Sequence, residues 1–290
     1  MTRHKEGIGA WLFLAPFLIL FATFVIAPVF YGFWISLHNW HILSKHVPFI
    51  GLRNYASALN DELFRISLVR TGYFVLMVVP AGNILSILLA IALNQKYRGT
   101  TIYKICFYLP VLLSVTVVAL VWRWMYSHDY GLINHYFGTD VRWLEDPRSA
   151  MPALALMSIW WGAGANMLIY LAGLRSVPKE IHEAAELDGA GPWQRFWHTT
   201  WPWIRPVTLF CLVISVIGAS QVFGQSYILT QGNPAYSTLT VILYMYQQGF
   251  GQYQLGYASA VAYLLFFMVS LLTVLQFKLL APRRVRTQRT

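Results

Sequence analysis

The chain has 290 residues, of which 57% are hydrophobic and only 11% are charged, and its net charge is +10 at neutral pH. Soluble domains carry roughly 25% charged residues, so most of the surface of this protein must face something apolar. The basic residues lie at the ends of apolar runs rather than on one soluble face, which argues against nucleic-acid binding. Both cysteines lie inside apolar runs and no metal-ligand spacing occurs, so the sequence predicts no metal site.

Six long apolar runs predict an all-α membrane protein with six transmembrane helices, since a spanning helix needs about 20 such residues. A basic tail, residues 1–10, precedes the first run, which is too long for a signal-peptide core and is expected to be a retained anchor. A second basic tail, residues 281–290, follows the last run. The predicted spans of this single transmembrane domain, 11–280, are 11–37, 71–93, 105–126, 150–174, 207–229 and 257–280.

Lysine and arginine are distributed unevenly between the two sides of this arrangement. With six spans, both termini lie on the same side of the membrane. That side holds 14 lysine and arginine residues, whereas the opposite loops hold five. Because basic residues accumulate in cytoplasmic loops, the distribution places both termini and the loop between spans four and five in the cytoplasm.

The longest polar stretch between two apolar runs is this loop, 176–206, which holds four of the 11 acidic residues. Pro178 suits the first turn of a helix and Gly189 suits its end, so a short helix is predicted at about 178–188. After the DGAG turn, bulky residues recur at i, i+3, i+4, i+7 and i+8, which predicts a second short helix with one aromatic face. These residues are Trp193, Phe196, Trp197, Thr200 and Trp201. The face is expected to lie against the spans or the lipid headgroups.

The segment EAAELDGAGPWQRFWHTTWP resembles the EAA loop of permease subunits in binding-protein-dependent ABC importers. That motif reads EAA, three residues, glycine, nine residues and then I-x-L-P. The matching positions, with an aspartate typical of the sugar branch, are Glu183, Ala184, Ala185, Asp188, Gly189 and Pro202. Thr199 and Trp201 depart from the usual isoleucine and leucine. A later segment, YILTQGNPAYST, is similar to the Y-x-L-T-x-G-G-P run of carbohydrate-uptake permeases, with Asn233 in place of the second glycine.

The resemblance implies the six-helix fold of a type I ABC importer permease in a bacterial or archaeal cytoplasmic membrane. It also implies that the loop docks in a cleft of a cytoplasmic ATPase, with Glu183 as the ionic contact. Ala184 and Ala185 then permit close approach, and Gly189 makes the turn. The implied partners are two copies of that ATPase, a second, non-identical permease subunit and an extracytoplasmic sugar-binding protein.

The sequence contains no G-x-x-x-x-G-K-[ST] phosphate-binding loop, so the chain needs a partner to use ATP. We therefore expect a non-catalytic subunit that binds no cofactor itself, with ATP and Mg²⁺ on the partner ATPase. The resemblance further implies that the transported substrate is a sugar or an oligosaccharide.

Polar side chains inside spans four to six are candidates for a substrate pathway, because such side chains usually face the bundle interior. They form three pairs at i and i+4, and each pair is expected to share a helix face. The candidates, with one tryptophan nearer the external side, are Trp161, Asn166, Tyr170, Gln221, Gln225, Ser259 and Tyr263. Amides, hydroxyls and aromatic rings suit a sugar, although interhelical hydrogen bonding would explain the same residues.

Two alternatives stay open at this stage. The same architecture could import a glycerol phosphodiester, an amino acid or a peptide. An autonomous ion-coupled transporter or a membrane enzyme would need ionisable or nucleophilic groups inside the spans, and the spans hold almost none.

Overall fold

A computed structural model describes residues 13–95 and 98–280. Within these ranges the regular elements are helices, and the only β-type pairings are two isolated bridges. The helices are α1 Phe13–Ser36, α2 Arg53–Asn60, α3 Glu62–Leu93, α4 Thr100–Leu112, α5 Val115–Met125, α6 Leu132–Phe137, α7 Ala150–Arg175, α8 Lys179–Leu187, α9 Pro192–Arg195, α10 Trp201–Ser220, α11 Gly224–Leu229, α12 Val241–Tyr246 and α13 Leu255–Leu280. The predicted tails 1–10 and 281–290 and the start of the first predicted span lie outside the described residues.

Five helical stretches in the described part of the chain are long and apolar enough to cross a membrane. They are α1, α3, α7, the stretch Pro192–Leu229 and α13. A sixth crossing results if α4 and α5 together form one span, although they are bent by 98°. The prediction of an all-α membrane protein is therefore confirmed.

The third predicted span, 105–126, is not a straight helix. Pro110 has no amide hydrogen to donate within the helix, and α4 ends two residues later at Leu112, which is followed by an extended residue, Leu113. Ser114 then caps α5 through a hydrogen bond that its side chain accepts from the Val117 amide at 3.4 Å. A proline, an extended residue and a new cap in succession produce the bend between the two helices.

The second short helix predicted in the loop is not separate from the fifth span. Helical structure runs without a break from Pro192 to Ser220, and a π-helical turn, Phe196–Thr200, joins α9 to α10. Pro192 does not interrupt this stretch because it lies at the first position, where the missing amide hydrogen costs little. Pro202 lies just after the π-helical turn and Pro206 lies inside α10, so both are accommodated within the stretch. Regular helix ends at Ser220, earlier than the predicted residue 229, and resumes only in α11.

The described residues form two compact units. Unit 1 contains 13–64 and 244–266, and unit 2 contains 65–243 and 267–280. In unit 2, buried side chains such as Leu154 and Met157 of α7 form one apolar cluster, and Met167, Tyr170 and others form a second. In unit 1, α1 contributes almost nothing to a core, since none of its most apolar window is buried.

Helix α7 runs without a break through the sequence WWGAGAN, and its two glycines have different surroundings. A Cβ on Gly164 would lie 2.2 Å from the Phe107 carbonyl oxygen, so only glycine allows α4 to approach α7 this closely. A Cβ on Gly162 would meet no atom within 4 Å. Gly164 therefore allows α4 and α7 to pack closely, whereas Gly162 faces open space.

Candidate functional site

The loop between α7 and α10 contains a short helix closed by a glycine turn. Helix α8 follows Pro178, and the Asp188 amide donates to the Ala184 carbonyl at 3.0 Å. Gly189 has φ +74°, in the left-handed region that a residue with a Cβ occupies only with strain. The Ala190 amide then donates to the Ala185 carbonyl at 3.0 Å, which satisfies a second helix-terminal carbonyl. The turn is thus fixed by backbone bonds and by the absence of a side chain at Gly189.

Side chains also connect α8 to α9 across this turn. The Arg195 guanidinium forms an ion pair and a hydrogen bond with the Glu186 carboxylate. The Gln194 side-chain oxygen accepts from the Gly191 amide at 3.1 Å and caps α9. The pair of Arg195 with Glu186 spans Gly189 and joins the two helices into one corner, whereas the Gln194 bond stabilises only the start of α9.

The outer face of this corner has no covering element in the part of the chain that the structure describes. Glu183, Ala184, Asp188 and Gly189 are exposed, and Leu187 is 90% exposed. A single exposed apolar side chain is ordinary on a protein surface, so the docking role of this face stays a prediction from the motif. Of the two remaining motif residues, Ala185 is half-buried on α8 and Pro202 is exposed near the start of α10.

The aromatic residues that follow the turn pack mainly on one another. Trp197 contacts Trp193 at a ring-centroid distance of 5.7 Å and Trp201 at 5.5 Å, and Phe196 lies beside all three. Trp193 remains 73% exposed. The predicted aromatic face therefore exists and forms a rigid cluster at the start of the long helical stretch.

The second candidate region is a cavity of about 280 Å³ in unit 2. It lies between α3, α7 and α10, and the short helix α11 also contributes to its wall. Its polar lining consists of Asn83, Ser158, Asn166, Ser215 and Gln225, with Trp161 as the large aromatic. No residue that lines it carries a charge.

A hydrogen-bonded network joins three helices at this cavity. The Asn83 side chain donates to the Ser215 hydroxyl at 3.1 Å, and Asn166 donates to the same hydroxyl at 2.9 Å. The Tyr170 hydroxyl donates to the Asn83 side-chain oxygen at 2.9 Å. The network fixes the orientation of both amides, because each is held by a partner on another helix.

The residues predicted for the substrate pathway do not all meet at this cavity. Trp161, Asn166 and Gln225 line it, and the indole of Trp161 also donates to the Leu113 carbonyl at 3.2 Å. Tyr170 is buried and supports the network through Asn83. Gln221 does not line the cavity, and the expectation that it shares a helix face with Gln225 is wrong, because the helix stops between them.

The remaining two predicted residues, Ser259 and Tyr263, belong to unit 1. The Tyr263 hydroxyl donates to the Val29 carbonyl, and its ring packs edge-on against Phe33 at 5.4 Å. In unit 1, Tyr263 therefore has a packing partner on α1. A substrate role for Ser259 and Tyr263 stays a prediction.

Sequence reasoning missed Asn83 and Ser215. The signal for Asn83 was present, because an amide near the middle of the second span meets the same criterion that was applied to spans four to six. Ser215 gave no such signal, since a single serine in a membrane helix can bond to its own backbone. Its importance depends on two asparagines, one of them 132 residues away in sequence.

Comparisons with known proteins agree on one family. A family model described as the inner membrane component of binding-protein-dependent transport systems matches residues 82–286. The probable ABC transporter permease protein YesP of Bacillus subtilis is 36% identical over 95% of this chain and 91% of its own length. The arabinooligosaccharides transport system permease protein AraP of Bacillus subtilis is 34% identical, covering 95% and 90%. The trehalose/maltose transport system permease protein MalF of Thermococcus litoralis is 32% identical, covering 97% of both chains.

Solved structures establish the fold independently. A chain of a bacterial ABC transporter that imports the acidic polysaccharide alginate matches with a TM-score of 0.81 at 23% identity, covering 94% of this chain and 95% of that one. A chain of a bacterial alginate ABC transporter in complex with an alginate pentasaccharide-bound periplasmic protein matches with a TM-score of 0.82 at 22% identity, covering 94% of both chains. The predicted permease fold of an ABC importer is confirmed.

Proposed function

Since the chain belongs to the family of inner membrane components of binding-protein-dependent transport systems, the permeases of ABC importers, we propose that its cargo is a sugar or an oligosaccharide. The cargo passes beside the unit 2 cavity, and the energy for transport enters through the corner formed by α8 and α9. The permease itself is a non-catalytic transport subunit.

The observation that carries the sugar assignment is the chemistry of the cavity wall. The amides of Asn166 and Gln225 and the Trp161 ring line the cavity together with no charged side chain, and Asn83 holds Ser215, which accepts from Asn166. Sugar hydroxyls need neutral donors and acceptors, and the C–H face of a sugar ring packs on an aromatic ring. An ionic cargo would leave its charge unpaired here, which is costly in a poorly solvated site. The names of the relatives AraP and MalF, which refer to oligosaccharides and disaccharides, support the same assignment.

The proposed coupling rests on the continuous helical stretch that begins at Pro192. The exposed corner is attached to one end of this stretch, and Ser215, in the cavity wall, lies near the other. At 1.5 Å per residue the two positions are roughly 35 Å apart along the helix axis. A displacement of α8 by an ATPase is passed along this stretch to the cavity wall, because a packed helix moves as a body.

We assign the ATPase contact to the motif residues Glu183, Ala184, Ala185, Asp188, Gly189 and Pro202. Glu183 is exposed on α8, where a carboxylate can form a charge-assisted hydrogen bond with an arginine of the partner. ATP and Mg²⁺ bind to that partner, of which two copies are expected. A second, non-identical permease and an extracytoplasmic sugar-binding protein complete the assembly. The corner faces the cytoplasm of a bacterial or archaeal cell, as the charge distribution predicts.

The test is uptake by the assembled transporter in liposomes. With the ATPase, the partner permease and the binding protein present, uptake of a labelled oligosaccharide is expected to require ATP. Glu183→Lys is expected to reduce uptake at least 100-fold and to abolish copurification of the ATPase, because a reversed charge replaces an interfacial contact worth about 2–5 kcal/mol. Glu180→Lys is the matched control, since Glu180 is exposed on the same helix outside the motif.

The two alternatives predict different results in this assay. Uptake of an amino acid, a peptide or a glycerol phosphodiester, with no uptake of any saccharide, would overturn the cargo assignment and keep the coupling. Uptake by this chain alone, driven by an ion gradient without ATP, would overturn the coupling.

A further inference from the structure

A second cavity, of about 550 Å³, lies entirely within unit 1. Its walls come from the loop after α1, from α2, and from the segment between α12 and the first turn of α13. Unlike the unit 2 cavity, it is lined mainly by polar side chains. Its volume falls within the roughly 300–1,000 Å³ of small-molecule sites.

The floor of this cavity is rigid. The Asn54 amide donates to the Ser36 and His38 carbonyls at 2.8 and 3.0 Å, which fixes the loop to α2. The Gly256 amide donates to the Trp40 carbonyl at 3.1 Å. A Cβ on Gly256 would lie 2.1 Å from the His38 carbonyl oxygen, so the first turn of α13 is in direct backbone contact with the loop. The loop cannot collapse into the cavity while these contacts hold.

Asp61 belongs to this rigid floor rather than to a set of free ligands. One carboxylate oxygen accepts from the hydroxyls of Tyr244 at 2.5 Å and Tyr257 at 2.7 Å, and the other accepts from the Leu63 amide at 2.8 Å. Burial alone would raise the pKa of Asp61, but these hydrogen bonds hold the pKa below its ordinary value. The carboxylate is therefore ionised and its acceptor sites are occupied.

In contrast to Asp61, four polar side chains at the mouth of the cavity make no hydrogen bond within the described residues. Among the hydrogen bonds and ion pairs of the described residues, none engages the side chains of Asn39, Arg53, Gln248 or Gln254. Together they provide donors and acceptors around one concavity. The Trp40 ring lies in the same wall, held at 6.1 Å by edge contacts with Tyr31 and Trp34. A fixed aromatic ring beside unpaired amides and one guanidinium is a carbohydrate-binding arrangement.

We propose that the unit 1 cavity is a separate subsite for a neutral saccharide, at the extracytoplasmic end of α1. The amides of Gln248 and Gln254 and the Arg53 guanidinium bond the sugar hydroxyls, and Trp40 packs against the ring. The charges of Arg53 and Asp61 balance within the lining, which favours a neutral sugar over an acidic one. This proposal rests on the proposed function, which supplies the class of cargo and the assignment of this end of α1 to the extracytoplasmic side of the membrane.

The test is direct binding to the assembled permease complex in lipid nanodiscs, without the binding protein. Labelled maltotriose and arabinotriose serve as probes. All variants carry Asn166→Ala, so that binding at the unit 2 cavity does not contribute. Gln254→Ala and Arg53→Ala are each expected to weaken probe binding about tenfold, the effect of one lost hydrogen bond of roughly 1.4 kcal/mol.

The chain offers a matched control in Gln252, an exposed glutamine of the same segment that does not line the cavity. Gln252→Ala is expected to bind both probes as the parent does. Trp40→Phe, which keeps an aromatic ring, is expected to retain more binding than Trp40→Ala.

The outcomes separate this proposal from the proposed function. ATP-dependent saccharide uptake with no probe binding, or with binding that Gln254→Ala and Gln252→Ala leave equal, overturns the subsite alone. Probe binding that depends on Gln254, with no saccharide uptake by the transporter that retains Asn166, supports the subsite and overturns the proposed cargo. Loss of affinity for the binding protein in Arg53→Ala, with probe binding unchanged, overturns the subsite and identifies the cavity as a protein contact.

Discussion

The corner formed by α8 and α9 and the unit 2 cavity are stabilised in different ways. The corner is held by contacts between residues at most nine positions apart, such as Arg195 with Glu186. The cavity depends on Asn83, Asn166 and Ser215, which come from three helices far apart in sequence. A local element can move as a body without losing its internal bonds, whereas the cavity wall cannot shift without exchanging its bonds. This difference fits the roles proposed for the two regions, coupling to the ATPase for the corner and passage of the substrate for the cavity.

The largest effect on stability is expected at the close contact between α4 and α7. Gly164→Ala places a methyl group against the Phe107 carbonyl, where overpacking costs about 1–3 kcal/mol or more. Gly162→Ala is the control, and it is expected to stabilise α7 by up to about 1 kcal/mol because its methyl group meets open space. Thermal unfolding of the purified protein in nanodiscs measures both. Equal melting temperatures for the two variants would contradict the close contact.

The next largest effect on stability is expected at Asn83. Asn83→Ala leaves the Tyr170 hydroxyl buried without its acceptor, which costs about 1–3 kcal/mol. Melting temperature and saccharide uptake should therefore fall together. Ser158→Ala is the matched control, since Ser158 lines the same cavity but donates only to Leu154 of its own helix. If Asn83→Ala changed neither quantity, the network would not organise the cavity.

A smaller effect on stability, but a specific one on coupling, is expected at the corner. Glu186 is 61% exposed, so its pair with Arg195 contributes no more than about 1 kcal/mol. Glu186→Arg and Arg195→Glu are each expected to lower uptake per ATP hydrolysed severalfold with little change in melting temperature. The double variant, which restores the pair with reversed charges, is expected to recover most of the ratio. Single and double variants that behave alike would show that the pair does not stiffen the corner.

The smallest expected effect is a change in the pKa of His128, which lies outside both regions. In the loop after α5, one ring nitrogen of His128 lies 3.0 Å from the Asp129 carboxylate and the other lies 2.7 Å from the Asp140 carboxylate. The hydrogen bond with Asp129 raises the pKa of His128, although the positive charge of Arg142 opposes this shift. Because this pKa is higher in the folded state, the contact is complete below the ordinary histidine pKa of about 6.5 and weakens as the pH rises through the raised value. Titration of the His128 ring by NMR checks this. Asp129→Asn is expected to lower the pKa, and an unchanged pKa would contradict the contact.

The sequence allowed the corner to be predicted closely because its signals are local. Pro178 and Gly189 mark the ends of α8 within a residue or two, and the spacing of the EAA motif needs no tertiary information. The sequence predicts the second helix as separate from the fifth span, because Pro202 and Pro206 between them are typical of a break in a helix. Proline near the start of a helix costs little, and this rule, correctly applied to Pro178, holds for Pro192 as well, whereas Pro202 lies inside the stretch just after its π-helical turn.

The cavity could be predicted only in part, because its determinants are not local. Asn166 was found from its polarity, but its partner Ser215 has no distinguishing pattern. Gln221 was paired with Gln225 by helical periodicity, which fails where the helix ends at Ser220. Similarly, a proline at 110 by itself predicts an interruption of the third span, whereas the 98° bend also depends on the cap at Ser114, where a second helix begins.

The lack of burial along α1 has a practical consequence. A membrane helix is stable by itself once inserted, because its backbone bonds are internal, and its position is then set by packing. Since none of the most apolar window of α1 is buried by this chain, lipid or a neighbouring subunit must cover that surface. In detergent, the micelle has to replace this cover around Phe17, Phe24 and Phe30, which are each more than half exposed. The choice of detergent or nanodisc lipid should therefore decide whether the isolated subunit stays dispersed, before any question of its transport activity arises.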